Sequence, residues 1–575
     1  MSGNIAKTYI YYIPFIIETL LSNYYKMATI YSTKTTPHTR RTRKHTPITF
    51  DGKPSPVIPR TPTQVVPPCT DVLTLSFTNS THQLLKYIES RPILPFRLSK
   101  VSKDCLTQII QMVHHSSVHT PSYTLDNISS NEMTRVMADF EKTRESRLIP
   151  SSIWTNISNS EKIWRIVTAQ LHGRTIHLYL ILPKSVKHYR LFSSAKLAES
   201  FFDTCARRIM VWLDIVLPFS GKECALSLDC YLFFTDDIKT IPYDDKTSPG
   251  IPRKSLERRS GVLTLPKKSI EQNDGDGGDG GGGTITPKHA NTAFTYSCVS
   301  SSQIVLFRME EWFKVFIHET FHCFGLDFSQ MNMTESNKSM SKLFPKCQSD
   351  MDFRIYETYC ETWAETINIL FIAYLSEYHL GNYKTDRVKH TRKCSSKRDM
   401  YCSRQTHTIR RVSGEEHAND FADLSIPKRI HTRILKRIDH MIQRERMFSM
   451  FQMTKVLHHY SITYADLCST LEHLPKYTEE TQVFAYYIVK PVLLYHLNEF
   501  IQWCVRHNGH NTMLVFKKTE GNIREYGDLI AKLYMLPDFI HSVNTTHTKY
   551  SRLSNKPNST IQDTLRMSLF EMETT

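Results

Sequence analysis

The sequence lacks the cysteine pattern of a secreted protein. Its thirteen cysteines include no CxxC pair and show no regular spacing. Small secreted domains that depend on disulfides instead carry an even, closely spaced set of cysteines. We therefore expect free thiols and an intracellular location rather than secretion.

The sequence also lacks a long uninterrupted hydrophobic run. Residues 9–25 are apolar and aromatic, but Pro14 and Glu18 interrupt them, and no cleavage site of small residues follows. A membrane-spanning helix needs about 20 predominantly apolar residues. We predict a short amphipathic helix here and no membrane span. A signal anchor and a start of translation at Met27 are the alternatives.

Outside two segments, the sequence has little net charge. The formal charge is +16, but residues 33–60 carry seven Lys or Arg against one Asp, and residues 383–411 carry ten against two. A nucleic-acid groove would make the folded part of the chain basic. Nucleic acid is therefore not expected as the main ligand. Solvated loops, or an acidic partner for the basic segments, explain the charge better.

The segment 316–325 contains a metal-binding pattern. His318 and His322 are four residues apart, and on a helix such residues lie one above the other on the same face. Glu319 follows the first histidine, where a carboxylate can take a proton from a metal-bound water. Apolar residues before the motif predict a helix, and Gly325 is placed where that helix should end. The pattern predicts zinc bound by both histidines, with Glu319 as general base.

Two histidines do not complete a catalytic zinc site, which uses three protein ligands and leaves the fourth position to water. The turn after the motif does not supply the third ligand, because the expected position holds Phe328 and Asp327 lies one residue early. Cys323 follows the second histidine but faces another side of the helix. We expect Cys323 to be a small buried residue.

A second, acidic helix is predicted over residues 356–371. Glu357, Glu361 and Glu365 recur every fourth residue among apolar residues, which would stack three carboxylates on one buried face unless a cation or a proton neutralised some of them. We expect Glu361 to be the third zinc ligand and Glu365 to bond the far nitrogen of a zinc histidine. Glu357 or Glu365 as the ligand is the alternative. Histidines packed in an ordinary core helix are the competing hypothesis.

The motif His318-Glu319-x-x-His322, followed by Glu361-x-x-Ala364-Glu365, resembles the gluzincin type of zinc metallopeptidase. The small residue and acid after the ligand glutamate are similar to its lethal-factor branch. Within the stretch from about 160 to 375, the chain also resembles uncharacterised metallopeptidase-like proteins of large double-stranded DNA viruses. For a viral chain, the expected intracellular location is the host cytoplasm or the virion.

That resemblance implies zinc held by His318, His322 and Glu361, with Glu319 as general base. It also implies a Tyr or His that steadies the tetrahedral intermediate, a role for which Tyr356 and Tyr359 are available without a secure match.

Pattern and composition predict an α+β protein. Alternating apolar residues around His172-Gly173-Arg174 predict a β-hairpin, and a strand over residues 291–298 is expected to line the cleft. Asp alternates with Gly over 273–283, but a calcium loop's spacing and terminal Glu are absent, which favours a flexible spacer. The expected regions are a disordered basic N-terminal region (1–68), an N-terminal α+β lobe (69–237), a Gly/Asp-rich linker or loop (238–290), a catalytic zincin-like core of mixed sheet, HExxH helix and glutamate helix (291–382), a basic insert (383–415), a mainly helical C-terminal lobe (416–540) and a polar tail (541–575).

The sequence thus predicts a zinc-dependent metallopeptidase-like hydrolase that acts on a peptide or protein substrate. A non-catalytic zinc-binding structural or virion-associated protein is the alternative from another class. A binder of nucleic acid or of an acidic partner through the basic segments is the third hypothesis.

Overall fold

The computed structural model of the 575-residue chain describes residues 95–127, 129–143, 145–184, 195–242, 284–393, 426–474, 476–554 and 560–571, with the backbone alone for 145, 195–196, 379–393, 553–554 and 560–561. The predicted basic region 1–68, the Gly/Asp-rich run and most of the basic insert lie outside these residues.

The described residues form a mixed α+β structure, as predicted. Its strands are β1 (Thr124–Asp126), β2 (Lys162–Leu171), β3 (Arg174–Pro183), β4 (Ser227–Phe233), β5 (Ala293–Thr295) and β6 (Ser301–Leu306). Its helices are α1 (Lys100–Val118), α2 (Ser130–Lys142), α3 (Ser151–Asn159), α4 (Ala195–Val216), α5 (Pro287–Ala290), α6 (Trp312–Cys323), α7 (Thr334–Leu343), α8 (Ile355–Lys393), α9 (Lys428–His459), α10 (Tyr464–Leu467), α11 (Lys490–Tyr495), α12 (Leu497–Asn508), α13 (Glu520–Leu533), α14 (Pro537–Ser554) and α15 (Thr560–Asp563).

The six strands form one sheet in the order β1-β2-β3-β4-β6-β5. The predicted hairpin is confirmed: β2 and β3 pair antiparallel through a turn at His172 (φ 50°) and Gly173 (φ 74°). Positive φ at both turn residues suits the twist of a two-residue hairpin. Strands β3, β4 and β6 run parallel, and β5 pairs antiparallel with β6 at the edge. The predicted edge strand is present but covers only three residues.

Successive residues of the parallel strands point to opposite faces of the sheet, and both faces are buried. Leu228, Cys230 and Leu232 of β4 join the core that includes α4, α6 and α8. Tyr231 and Phe233 belong to a second core, closed by α2 and α3. Period-two alternation in a strand buried on both faces produces this arrangement.

One sheet crosses the boundary that the sequence placed between an N-terminal lobe and a separate catalytic core. Strands β1 to β4 come from residues 69–237, whereas β5 and β6 come from residues 291–382, and backbone bonds join β4 to β6. The described parts of these two regions therefore share a sheet and a core.

The C-terminal part is helical, as predicted, except where a polar tail was expected. A π-helical segment (Ala485–Val489), α11 and α12 follow one another in the C-terminal part, with Pro491 in the first turn of α11. Proline is tolerated there because the first amides of a helix have no partner in the helix. The expected polar tail is wrong for the described residues: α14 spans part of it, and residues 564–570 are buried.

Two further observations concern the expected environment. No helix in the described part of the chain has both the length and the apolar character that crossing a membrane requires. Cys224 and Cys298, 74 residues apart in sequence, form a disulfide. The expectation of free thiols throughout is therefore wrong for this pair, and sequence spacing gave no sign of it because the sheet brings the two residues together.

Candidate metal centre

Helix α6 carries the predicted motif and ends where the sequence indicates. Gly325 has φ 64°, and the amide of Leu326 donates to the carbonyl of Phe321 at 2.8 Å. A left-handed glycine after the last turn closes a helix in this way. All residues of α6 are buried. The helix lies between the sheet and α8, which faces its histidines with the predicted row of glutamates.

Three donor atoms converge at this contact between α6 and α8. The Nε2 atoms of His318 and His322 lie 3.1 Å apart, and Oε2 of Glu357 lies 3.1 Å from the first and 3.3 Å from the second. A tetrahedral ion with bonds of about 2.0–2.1 Å separates its ligand atoms by about 3.3 Å. The three atoms are therefore spaced as three corners of a zinc tetrahedron.

The far nitrogens of both rings contact carboxylates. Nδ1 of His322 lies 2.6 Å from Asp327 Oδ2, and Nδ1 of His318 lies 3.0 Å from Glu361 Oε2. The first contact is a hydrogen bond, whereas the second has a suitable distance but poor hydrogen-bond alignment. A carboxylate beside Nδ1 favours the proton on that atom, so the lone pair of the neutral ring lies on Nε2.

This donor set fits a cation. With both Nδ1 atoms protonated, two imidazole lone pairs and one carboxylate oxygen face a common point inside the protein. Three electron-pair donors at about 3 Å repel one another unless a metal ion or added protons lie between them. Two imidazoles and one carboxylate are also the ligand types that zinc accepts. His318, His322 and Glu357 are thus the residues that fit zinc here.

The sequence predicts Glu361 as the third ligand, but the structure places Glu357, one helical turn earlier, beside both Nε2 atoms. Glu361 has one oxygen beside His318 Nδ1 and the other bonded to Lys314 Nζ at 2.5 Å, so it has the position expected of Glu365. Glu365 itself accepts from Lys490 Nζ at 2.8 Å. Glu357 has the position expected of Glu361. The alternative with Glu357 as ligand is the one that this geometry favours.

Charge explains how α8 keeps three buried glutamates. Burial raises the pKa of Glu361, but Lys314 and His318 lower it well below its ordinary value. Burial also raises the pKa of Glu365 well above its ordinary value, although Lys490 opposes this. Imidazole and ammonium neighbours therefore keep Glu357 and Glu361 ionised, whereas burial favours the neutral form of Glu365, and this difference makes the stacked row compatible with burial.

Asp327 is a functional candidate whose role the sequence analysis missed. The sequence indicates Asp327 only as a possible metal ligand in the turn after the motif. In the structure, Asp327 Oδ2 bonds Nδ1 of His322, and the Ser329 hydroxyl donates to Asp327 Oδ1 at 3.2 Å. Cys360 Sγ lies 3.9 Å from the same ring nitrogen. His322, Asp327 and Cys360 form a second group with metal-ligand chemistry, but the hydrogen bond already uses His322 Nδ1.

Glu319 lines the same cavity as the three donor residues and is only 7% exposed. Burial raises its pKa above the ordinary value, while His318 and His322 lower it. A raised carboxyl pKa suits a group that takes a proton near neutral pH and later gives it up. Glu319 therefore lies in the cavity that the candidate ligands line, and its role as general base stays a prediction.

The cavity has a volume of about 160 Å³ and extends along the sheet edge. Residues 291–295, which include β5, form one wall, and Gln482, Tyr486 and Met567 contribute from the C-terminal part. The hydroxyl of Thr292 is buried in this wall without a hydrogen-bond partner among the described residues. The edge strand predicted to line the cleft thus lies beside the candidate metal site.

Tyr486, in the π-helical segment, is a second residue that sequence reasoning missed. Its hydroxyl donates to Glu357 Oε2 at 2.9 Å, and its ring meets that of His318 edge-on. Tyr359, one of the two expected candidates, is buried and donates to the carbonyl of Met513. Tyr356 packs its ring against His322. Single-turn π-helices are frequent at functional sites, but no sequence pattern predicts one here.

The Cys224–Cys298 disulfide lies against the C-terminal end of α6. The amide of Cys298 donates to the carbonyl of His322 at 3.2 Å. A Cβ atom on Gly325 would lie 3.2 Å from Cys224 Sγ. The pair therefore holds the loop between β5 and β6 against the turn that follows His322.

Comparison of the chain with protein-family models, curated proteins and solved structures finds no match.

Proposed function

We propose that the chain is a zinc-dependent peptide hydrolase with His318, His322 and Glu357 as metal ligands. The observation that carries this proposal is the convergence of the two Nε2 atoms and Glu357 Oε2 at 3.1–3.3 Å, with carboxylates beside both far nitrogens. When bound there, zinc would supply Lewis acidity and a water whose pKa is lowered toward neutrality.

The residues around the ligands have the properties that hydrolysis needs. Glu319 is the proposed general base, because it lines the cavity and burial raises its pKa. It takes the proton of the attacking water and passes it to the leaving amine. Tyr486 is the proposed donor to the oxygen of the scissile carbonyl as negative charge develops there. Asp327 and Glu361 orient the two imidazoles.

The position of β5 supports a peptide as the substrate class. Among the described strands, β5 ends the sheet and pairs only with β6. An extended peptide can add to such an edge by backbone hydrogen bonds, which would lay it beside the metal ligands. The unpaired Thr292 hydroxyl in this wall offers a further contact for a polar ligand.

A non-catalytic zinc protein is the second candidate, and the cavity size favours it. About 160 Å³ is small for a site that must admit several substrate residues, since ligand pockets usually measure about 300–1,000 Å³.

Zinc content and cleavage of a peptide library, measured on the wild type and on Glu319→Gln, separate the two candidates. We expect about one zinc per chain in both proteins. Cleavage in the variant should fall by about 10²–10⁴-fold. Zinc without cleavage in the wild type would favour the structural role, and undiminished cleavage by Glu319→Gln would overturn the mechanism.

A further inference from the structure

The segment from Thr564 to Glu571 lies in the protein interior without belonging to a helix or strand. Residues 564–570 are all buried, and Thr564 makes a single bridge to Thr240. A buried chain normally satisfies its backbone through secondary structure. This segment instead bonds mainly to side chains of other elements, which we call the channel residues: Glu311, Asn368, Glu445, Gln452, Lys455, Tyr487 and Lys490.

Two buried carboxylates accept from four consecutive amides of the segment. Glu311 accepts from the amides of Met567, at 3.2 Å, and Ser568, at 2.5 Å. Glu445 accepts from the amides of Leu569 and Phe570, each at 2.9 Å. Carboxylate oxygens that accept from main-chain amides are among the stronger hydrogen bonds in proteins.

Cationic and polar side chains donate to the carbonyls of the same segment. Lys455 Nζ donates to the carbonyl of Thr564 at 2.7 Å, and Lys490 Nζ to that of Met567 at 3.1 Å. Gln452, Tyr487 and Asn368 donate to the carbonyls of residues 566, 565 and 570. The lysines and carboxylates are almost completely buried, so an empty channel would leave several charged groups without these partners.

The segment also forms part of the metal-site cavity. The Met567 side chain lines it, and its sulfur lies 3.8 Å from Lys314 Nζ, the same ammonium that bonds Glu361. Lys490 connects the Met567 carbonyl to Glu365 of α8. Met567 therefore occupies space that a longer ligand of the metal site would need.

We propose that the channel is a binding site for an extended peptide, with segment 564–571 as its exchangeable occupant and Met567 as the group that narrows the metal-site cavity. Recognition is mainly through the backbone, but side chains also restrict the ligand sequence. Arg566 lies 3.7 Å from Glu310, the Ser568 hydroxyl donates to Glu445 at 2.6 Å, and Leu565, Met567, Leu569 and Phe570 are buried. The effect on the metal site depends on the proposed function, whereas peptide binding does not.

Nicking the folded full chain tests the channel directly. A protease recognition sequence is placed within residues 555–559, outside the described residues, and cut after purification. A fluorescein-labelled peptide of residues 560–575 is then added, and binding is followed by anisotropy. We expect saturable exchange into the nicked protein, reversed by unlabelled peptide. Glu445→Gln in the protein should weaken binding by about tenfold or more, since bonds to a charged acceptor are lost.

Two peptide variants isolate the role of the backbone. Leu569→Ala and Leu569→Pro both remove the leucine side chain, but only proline removes the amide that donates to Glu445. Weaker binding of the proline peptide than of the alanine peptide supports recognition of the main chain. Equal binding of the two peptides, or failure of the nicked protein to exchange the labelled peptide, overturns the proposal and makes the segment a fixed part of the core.

Met567→Ala, compared with Met340→Ala at a buried position outside the cavity, tests the second part of the proposal. We expect Met567→Ala to raise kcat/KM for a short peptide several-fold and Met340→Ala to leave it equal or lower. Equal effects of the two substitutions would show that Met567 does not control access to the metal-site cavity. If the labelled peptide binds but neither the wild type nor any variant cleaves a peptide, the proposed hydrolase activity is rejected, whereas the proposed peptide-binding channel is retained.

Discussion

The hydroxyl of Tyr486 donates a hydrogen bond to Oε2 of Glu357 at 2.9 Å, although 129 residues separate them in sequence. The same carboxylate oxygen faces the Nε2 atoms of both motif histidines. The C-terminal helices therefore contribute directly to the candidate metal centre, and the site belongs to the packed structure as a whole rather than to the motif segment alone.

Substitution of the three glutamates of α8 should separate ligand from supporting residues. We expect Glu357→Gln to lose most bound zinc, because it removes a charged donor atom that faces both imidazoles. Glu361→Gln should weaken zinc binding by about 10–100-fold, as expected for a residue that orients a metal histidine. Zinc dissociation constants, measured by competition with a chelator dye, provide the test.

Glu365→Gln is the matched control, since the structure pairs this residue with Lys490 and away from the histidines. Its zinc affinity should stay within a few-fold of the wild type. If Glu361→Gln loses zinc and Glu357→Gln keeps it, the assignment made from the sequence is restored.

Tyr486→Phe should lower kcat for peptide cleavage by about 10–10³-fold, because the variant loses a donor to the developing oxyanion but keeps the ring. Loss of the hydrogen bond to Glu357 should also weaken zinc binding, so kcat is measured at saturating zinc. Steady-state kinetics and metal analysis measure both quantities. Tyr356→Phe is the control, as its ring packs on His322 without a described bond to the ligand carboxylate. Similar loss of kcat in both variants would argue against a special role for Tyr486.

Removal of the Cys224–Cys298 disulfide should lower the free energy of unfolding by about 2–4 kcal/mol, since the bond closes a long loop in the unfolded chain. The double substitution to serine is compared with oxidised wild type in urea denaturation. Cys468→Ser, at a free and partly buried cysteine, is the control. A double variant as stable as the wild type would show that the two thiols are not joined in solution.

His496 should make stability depend on pH. Burial, together with the nearby Arg446, lowers its pKa to about 4, and only Asp538 acts in the opposite direction. Its Nε2 has no hydrogen-bond partner among the described residues. The unfolded chain binds the proton near pH 6.5 and the folded chain only near pH 4. The free energy of unfolding therefore keeps its full contribution from neutral His496 above pH 6.5 and loses it as the pH falls toward 4. The loss is at most on the order of 3 kcal/mol.

Urea denaturation at several pH values between 4 and 7 measures this dependence. We expect His496→Gln to show a shallower loss of stability on acidification than the wild type. The exposed His541→Gln is the control and should follow the wild-type curve. Parallel curves for the wild type and His496→Gln would contradict the prediction.

The local features of the site were predictable because local chemistry determines them. Four-residue spacing aligns His318 and His322 wherever a helix forms, and Gly325 ends that helix because it accepts a positive φ. The hairpin at His172 and Gly173 follows in the same way from alternation and turn residues.

Only the tertiary structure decided which glutamate lies beside both Nε2 atoms. Glu357, Glu361 and Glu365 repeat every fourth residue on one face of α8, so periodicity cannot distinguish them. The packing of α8 on α6 determines which turn of α8 faces the imidazoles, and therefore which carboxylate lies beside them. Asp327, Tyr486, the disulfide and the buried segment 564–570 likewise depend on packing, because side chains far apart in sequence become neighbours only when the chain buries its apolar faces.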